Sequence, residues 1–136
     1  MSGHCFIENC FQPILVSKTS SSVTLMLPFR NELIGNAIIP CLHGGVVAAM
    51  IERTGKFAAR VVACDDPAVG SVDLGQIKVI DMRVDFLEPA PCENIYFDAT
   101  IIHKSKKLVR VDVDCWNYVR SKRIAIGRGI YSLFGS

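Results

Sequence analysis

The chain has 136 residues, half of them hydrophobic and 21% charged, with a formal net charge of +2. That length suits one domain with a real core, and the mild charge, without any Lys/Arg run that could track a phosphate backbone, excludes a nucleic-acid binder. So much apolar surface in so small a protein leads us to expect a homo-oligomer with a sizeable interface.

Residues 1–136 read as a single domain. In residues 1–20, Phe6, Ile7, Cys10 and Phe11 have helical spacing, so a short N-terminal helix is expected, followed by an extended lead-in over Gln12–Ser17. Thr19 to Ser22 form a turn, and a strand begins at Ser22 and runs to Leu27, limited by Pro28. Phe29–Leu42 has no clear period and carries Gly35 and Pro40, so a long irregular segment is expected there. Gly44 to Ala63 reads as a helix whose N-terminal half is apolar on every side, the mark of a buried central helix. Gly55 inside it costs roughly 1 kcal/mol of propensity relative to Ala, which makes sense if something packs very closely there. Asp65, Asp66, Pro67 and Gly70 then form a turn.

The pattern then switches to period two. Ile80, Met82, Val84 and Phe86 point one way, and Asp81, Arg83 and Asp85 the other; Pro89 and Pro91 end the run. Further strands are expected at Asn94–His103, Leu108–Tyr118 and Arg123–Phe134, joined by short polar turns as an antiparallel meander. A helix that is apolar all round needs a sheet curling about it, so the fold class is α+β with one swallowed helix. Six cysteines (Cys5, Cys10, Cys41, Cys64, Cys92 and Cys115) show neither Cys-x-x-Cys pairing nor zinc spacing, and read as reduced thiols of a cytoplasmic protein. Glu52, Arg53 and Lys56 interrupt the longest apolar run, so no membrane span is expected.

The chemistry gathers at Cys41-Leu42-His43-Gly44-Gly45, followed by Glu52 nine residues after His43. The first N–H groups of a helix lack intrahelical partners and carry the positive end of the macrodipole. Gly44 and Gly45 let a substrate atom approach the main chain, and the Gly44 N–H is placed to meet a developing oxyanion. Glu52 in an apolar helix is costly unless paired or useful. It is read either as a base or nucleophile, or as a surface partner of Lys56. His43 can orient a substrate group or bond a neighbouring loop, and Asn36 can turn its amide to the site or serve an ordinary turn. Asp81, Arg83 and Asp85 suit cross-strand pairs or an interface network. Lys104, Lys106, Lys107 and Arg110 cluster at one hairpin, either a solvated tip or a landing site for phosphates. No metal-ligand spacing is present.

These stretches resemble the hotdog-fold acyl-CoA thioesterases, the group that includes the 4-hydroxybenzoyl-CoA and phenylacetate-pathway enzymes, from about Ser22 to Phe134. The resemblance rests on Leu42-His43-Gly44-Gly45 with Glu52, on Ile80-Asp81-Met82-Arg83-Val84-Asp85-Phe86-Leu87-Glu88-Pro89-Ala90, and on Ile124-Ala125-Ile126-Gly127-Arg128-Gly129. It implies an antiparallel sheet wrapped about one long helix, and dimers or dimers of dimers with the acyl site at the subunit interface. It further implies Glu52 as the catalytic carboxylate, Gly44 N–H as the carbonyl donor, and His43 and Asn36 as accessories. Gly45, Lys104, Lys106, Lys107 and Arg110 would then receive a coenzyme A substrate, with no metal and no separate cofactor. Two positions depart from the family pattern: Ala37 stands where many members have an amide, and Val79 where some hold the water with Ser or Thr. The expected activity is thioester hydrolysis of an acyl- or aryl-CoA. The alternatives are a hydratase or dehydratase on the same fold, which pairs histidine with the acid, and a non-catalytic acyl-CoA or lipid-binding protein.

Overall fold

The computed structural model describes residues 13–29, 34–36, 41–42, 44–64, 77–117 and 122–133. Among these residues, eight strands and one helix run in the order β1 (Ile14–Lys18), β2 (Ser22–Leu27), β3 (Ile34–Asn36), β4 (Cys41–Leu42), α1 (Gly44–Cys64), β5 (Lys78–Phe86), β6 (Ile95–Lys104), β7 (Leu108–Asn117) and β8 (Lys122–Ser132). The expected N-terminal helix lies outside the described residues. So does the turn at Asp65–Gly70.

Six strands form one antiparallel sheet in the order β1-β2-β6-β7-β8-β5, and β3 and β4 form a separate two-stranded ladder. That ladder corrects the reading of 29–42 as wholly irregular: Ile34 pairs with Leu42 and Asn36 with Cys41. The four-strand meander is corrected too. Of its four strands only β6, β7 and β8 are consecutive neighbours, and β5 pairs with β8 at the far edge. Pro89 and Pro91 bar a tight hairpin after β5. The connection instead carries the chain across three strand positions, about 14 Å at 4.8 Å spacing.

α1 packs on one face of this sheet, against β2, β5, β6, β7 and β8, which is the α+β, hotdog arrangement. Val47, Met50, Ile51 and Ala58 of the helix interlock with Phe97, Val111, Val113, Ala125 and Tyr131, all essentially without solvent contact. Strands β2 and β7 bury alternate residues and so face the helix with one side only. Burial of the helix is one-sided in a single chain. Ala48, Ala49, Phe57, Val61 and Val62 are only half-covered.

The edge strand β5 departs from its alternating pattern. A bulge between Val79 and Asp81 breaks the register. Met82 and Val84 are half-buried, while Ile80 and Phe86 are 56% and 54% exposed. Ile14, Leu15 and Val16 on the opposite edge are exposed as well.

Candidate active site

The helix mouth forms because α1 begins at Gly44, directly after the short β4 strand. No acidic side chain occupies its first turn, so nothing on the helix itself neutralises the positive end of the dipole. Gly44 and Gly45 are exposed, and the first N–H groups of a helix have no intrahelical partner. The Phe86 ring lies beside Gly44, 3.8 Å from where a Cβ would stand. A cavity of about 400 Å³ opens at this point. Gly44, Val47, Phe86, Leu87, Pro89, Ala90 and Ile124 line it, together with Glu88. The Glu88 carboxylate lies 3.8 Å from the Lys122 ammonium. The sequence does not single out these walls as a binding surface, because β5 and β8 become neighbours only in the folded sheet.

Glu52 is half-buried, on the helix flank shared with Ala48 and Gly55. The Tyr131 hydroxyl donates to its main-chain carbonyl at 3.1 Å. Sequence reasoning misses Tyr131 altogether. Its traces are Gly55 and Gly129, whose missing side chains make room for the phenol. Among the ion pairs of the described residues none joins Glu52 to Lys56. From Gly44 to Glu52 the helix rises about 12 Å, so one chain's N–H donor and its carboxylate do not converge on a single carbonyl.

His43 lies outside the described residues. Asn36 ends β3, with its backbone paired to Cys41. The basic residues stay at the β6–β7 hairpin, where Arg110 pairs with His103 and Lys104 with Val109. Lys104 closes β6, and Lys106 and Lys107 are exposed in the β6–β7 turn, which the Leu133 N–H ties to the Lys107 carbonyl at 2.9 Å. Arg110 also lines, with Asp81, Arg83 and Arg128, a cavity of about 190 Å³. Lys122 and Arg123 stand at the other end of β8, where Arg123 lies over Trp116 at 5.0 Å and beside Asp114 at 3.7 Å. Within one chain the lysine turn and the helix mouth lie at opposite ends of β8, roughly 27 Å apart at the rise of an extended strand.

Among the described residues no group of His, Cys, Asp and Glu could hold a metal ion, and no helix is long and apolar enough to cross a membrane. Cys92 and Cys115 are free thiols, and burial, reinforced by the Asp98 charge, pushes the Cys115 thiol well up.

Known structures share this architecture. A crystal structure from Shewanella oneidensis, related to the thioesterase superfamily, is 26% identical with a TM-score of 0.78, covering 97% of this chain and 89% of its own. Zebrafish thioesterase superfamily member 2 is 19% identical with a TM-score of 0.74, over 98% of this chain and 88% of its own. A Haemophilus influenzae thioesterase, at 17% identity and a TM-score of 0.72, covers 91% of this chain and 79% of its own; the last two likenesses speak for the fold alone. No curated protein matches the chain. The thioesterase superfamily itself matches residues 40–122, more than half of the sequence and the part that holds the helix mouth, Glu52 and strands β5 to β7. With one helix laid on an antiparallel sheet and its glycine mouth opening on an apolar cavity, the chain belongs to the thioesterase superfamily.

Proposed function

We propose that this protein hydrolyses the thioester of an acyl- or aryl-CoA, in a site shared by two copies of the chain. The observation that carries this reading is the apolar cavity with the exposed N-terminus of α1 in its wall. Apolar walls suit an acyl group, and the Gly44 N–H at the positive end of the helix suits the thioester oxygen. Glu52 supplies the reacting carboxylate. It either takes a proton from the attacking water, after which the thiolate departs, or attacks the carbonyl carbon itself, expelling the thiolate to leave an acyl–Glu52 anhydride that water then hydrolyses. A thiol with a pKa of about 8.5 needs little acid help to leave.

The 12 Å or so between Gly44 and Glu52 along one helix is the reason for a second copy. Pairing two chains antiparallel through the exposed β5 edge, an isologous arrangement, turns one chain's Glu52 toward its partner's helix mouth. It also carries the Lys104, Lys106 and Lys107 turn of one copy toward the mouth of the other, where ammonium groups suit the phosphates of coenzyme A. The exposed Val79, Ile80, Phe86 and Leu87 and the half-covered side of α1 give such a dimer apolar surface to bury. His43 and Asn36 would then serve to orient the thioester. Coenzyme A enters as part of the substrate, and the free thiols accord with a reducing, cytoplasmic setting.

The test is thiol release from a panel of short, long and aromatic acyl-CoA substrates, with wild type and Glu52→Gln side by side. Wild type should release thiol, and Glu52→Gln should lower kcat by about 100-fold or more. No thiol from any substrate, or full activity in Glu52→Gln, overturns the reading.

A further inference from the structure

Tyr131 stands on β8 with its ring inside the core and no solvent contact. Its hydroxyl donates to the Glu52 carbonyl oxygen at 3.1 Å. In a regular helix that carbonyl also takes the N–H of Lys56 one turn on, and it has lone pairs for both donors. Two glycines make the seat for the phenol. A Cβ at Gly55 would overlap the Tyr131 Oη and come within 2.8 Å of Cζ. A Cβ at Gly129 would lie 2.7 Å from Cε2 and 2.9 Å from Oη. The helix therefore accepts a poor helix former at Gly55, and the strand a residue with no side chain at Gly129, at the two places where this ring must fit. Filling space does not by itself require an oxygen there. Among the described residues the hydroxyl's acceptor is the main chain of Glu52.

We propose that Tyr131 is a positioning residue for Glu52: its hydroxyl, seated between Gly55 and Gly129, fixes the rotation and height of α1 at the residue that carries the reacting carboxylate. Burial holds the phenol protonated well beyond its usual range and the Glu52 charge adds to this, so the donor is present at any pH at which the enzyme would work. The proposal rests on Glu52 as the reacting group.

The experiment compares wild type, Tyr131→Phe, Gly55→Ala, the double variant and Glu52→Gln by acyl-CoA thiol release and thermal unfolding. Tyr131→Phe keeps the ring and removes only the donor. It should lower kcat by about 10-fold while KM stays within about twofold, because a small misplacement of the reacting group acts on the transition state. Gly55→Ala displaces the hydroxyl and should reproduce that loss. The double variant should be no slower than Gly55→Ala alone, since both changes remove one bond. If Tyr131→Phe and Gly55→Ala lower the melting temperature but leave kcat unchanged, while Glu52→Gln is inactive, the positioning role is overturned and the hydrolytic reading stands. Full activity in Glu52→Gln overturns both.

Discussion

Gly127 offers a direct check on how closely the helix rests on the sheet. It lies in β8 beneath Ile51, and a methyl placed on it would overlap Ile51 Cγ2 and stand 3.4 Å from Cβ. Neither side can yield cheaply. Gly127 is paired with Val84 on β5 and Val113 on β7, so ladders on both flanks hold its backbone. Ile51 is fully buried and stiff at χ1, and its Cγ2 sits directly on the branched carbon. Gly127→Ala should therefore cost about 1–3 kcal/mol, the usual range for overpacking a filled core. At roughly 4 °C per kcal/mol for a chain of this size, the melting temperature should fall by some 4–12 °C. Ile51→Ala alone should cost about 2–5 kcal/mol through the cavity it leaves. In the double variant the new methyl occupies part of that cavity and meets no Cγ2, so about 1–2 kcal/mol of the summed loss should return. Equilibrium urea unfolding at one protein concentration measures all four corners of the cycle. Gly127→Ala within about 0.5 kcal/mol of wild type, or strict additivity in the double variant, would refute the close seating of Ile51 on Gly127.

Two further outcomes follow from the same structure. Gly44→Pro removes the first N–H of α1 at a position where proline fits a helix, so this variant and Glu52→Gln should each be inactive yet folded. Refolding them together as an equal mixture should restore about a quarter of wild-type activity, because half of the dimers are mixed and each holds one intact site; a mixture as inactive as its parts sinks the shared site. Stability should also decline in alkali. Cys115 and Tyr131 are both raised above their ordinary values of 9.0 and 10.0 by burial, so their contribution is complete below those values. It is lost as pH rises past them, by about 1.4 kcal/mol per pH unit for each group once its unfolded form ionises. Urea unfolding from pH 8 to 10.5 should show this fall, less steeply in Tyr131→Phe and Cys115→Ala; a flat profile contradicts it.

The sequence is most legible where structure is local. Helix α1 is read to within one residue of its end, because its alanine-rich run and glycine start are properties of a single segment. Strands β6, β7 and β8 follow from short polar turns and alternation, again over neighbouring residues. The place of β5 does not. Its alternating pattern is as clear as any, yet it pairs with β8 rather than β6, and its bulge leaves Ile80 exposed. A partner 39 to 54 residues away along the chain leaves no mark on a strand's own periodicity. The β3–β4 ladder escapes for a similar reason, since strands of three and two residues are too short to show a period.

The candidate site divides in the same way. His43, Gly44, Gly45 and Glu52 are close together in one segment, so their spacing shows a helix mouth followed by a carboxylate, and the family resemblance is what joins the two into one site. That the two stand about 12 Å apart, too far to act on one carbonyl within a single chain, is already contained in the rise of a helix. Only the tertiary structure decided what surrounds them. It put Phe86 and Ile124 around the mouth, set Arg110 with Asp81 and Arg128 about a second cavity, and brought Tyr131 to the Glu52 carbonyl from 79 residues away. Gly55 shows the boundary between the two. Its cost to the helix is visible in the sequence and announces a close neighbour, but the neighbour's identity depends on which strand the sheet lays beneath it, and contact between distant segments is set by packing rather than by either segment alone.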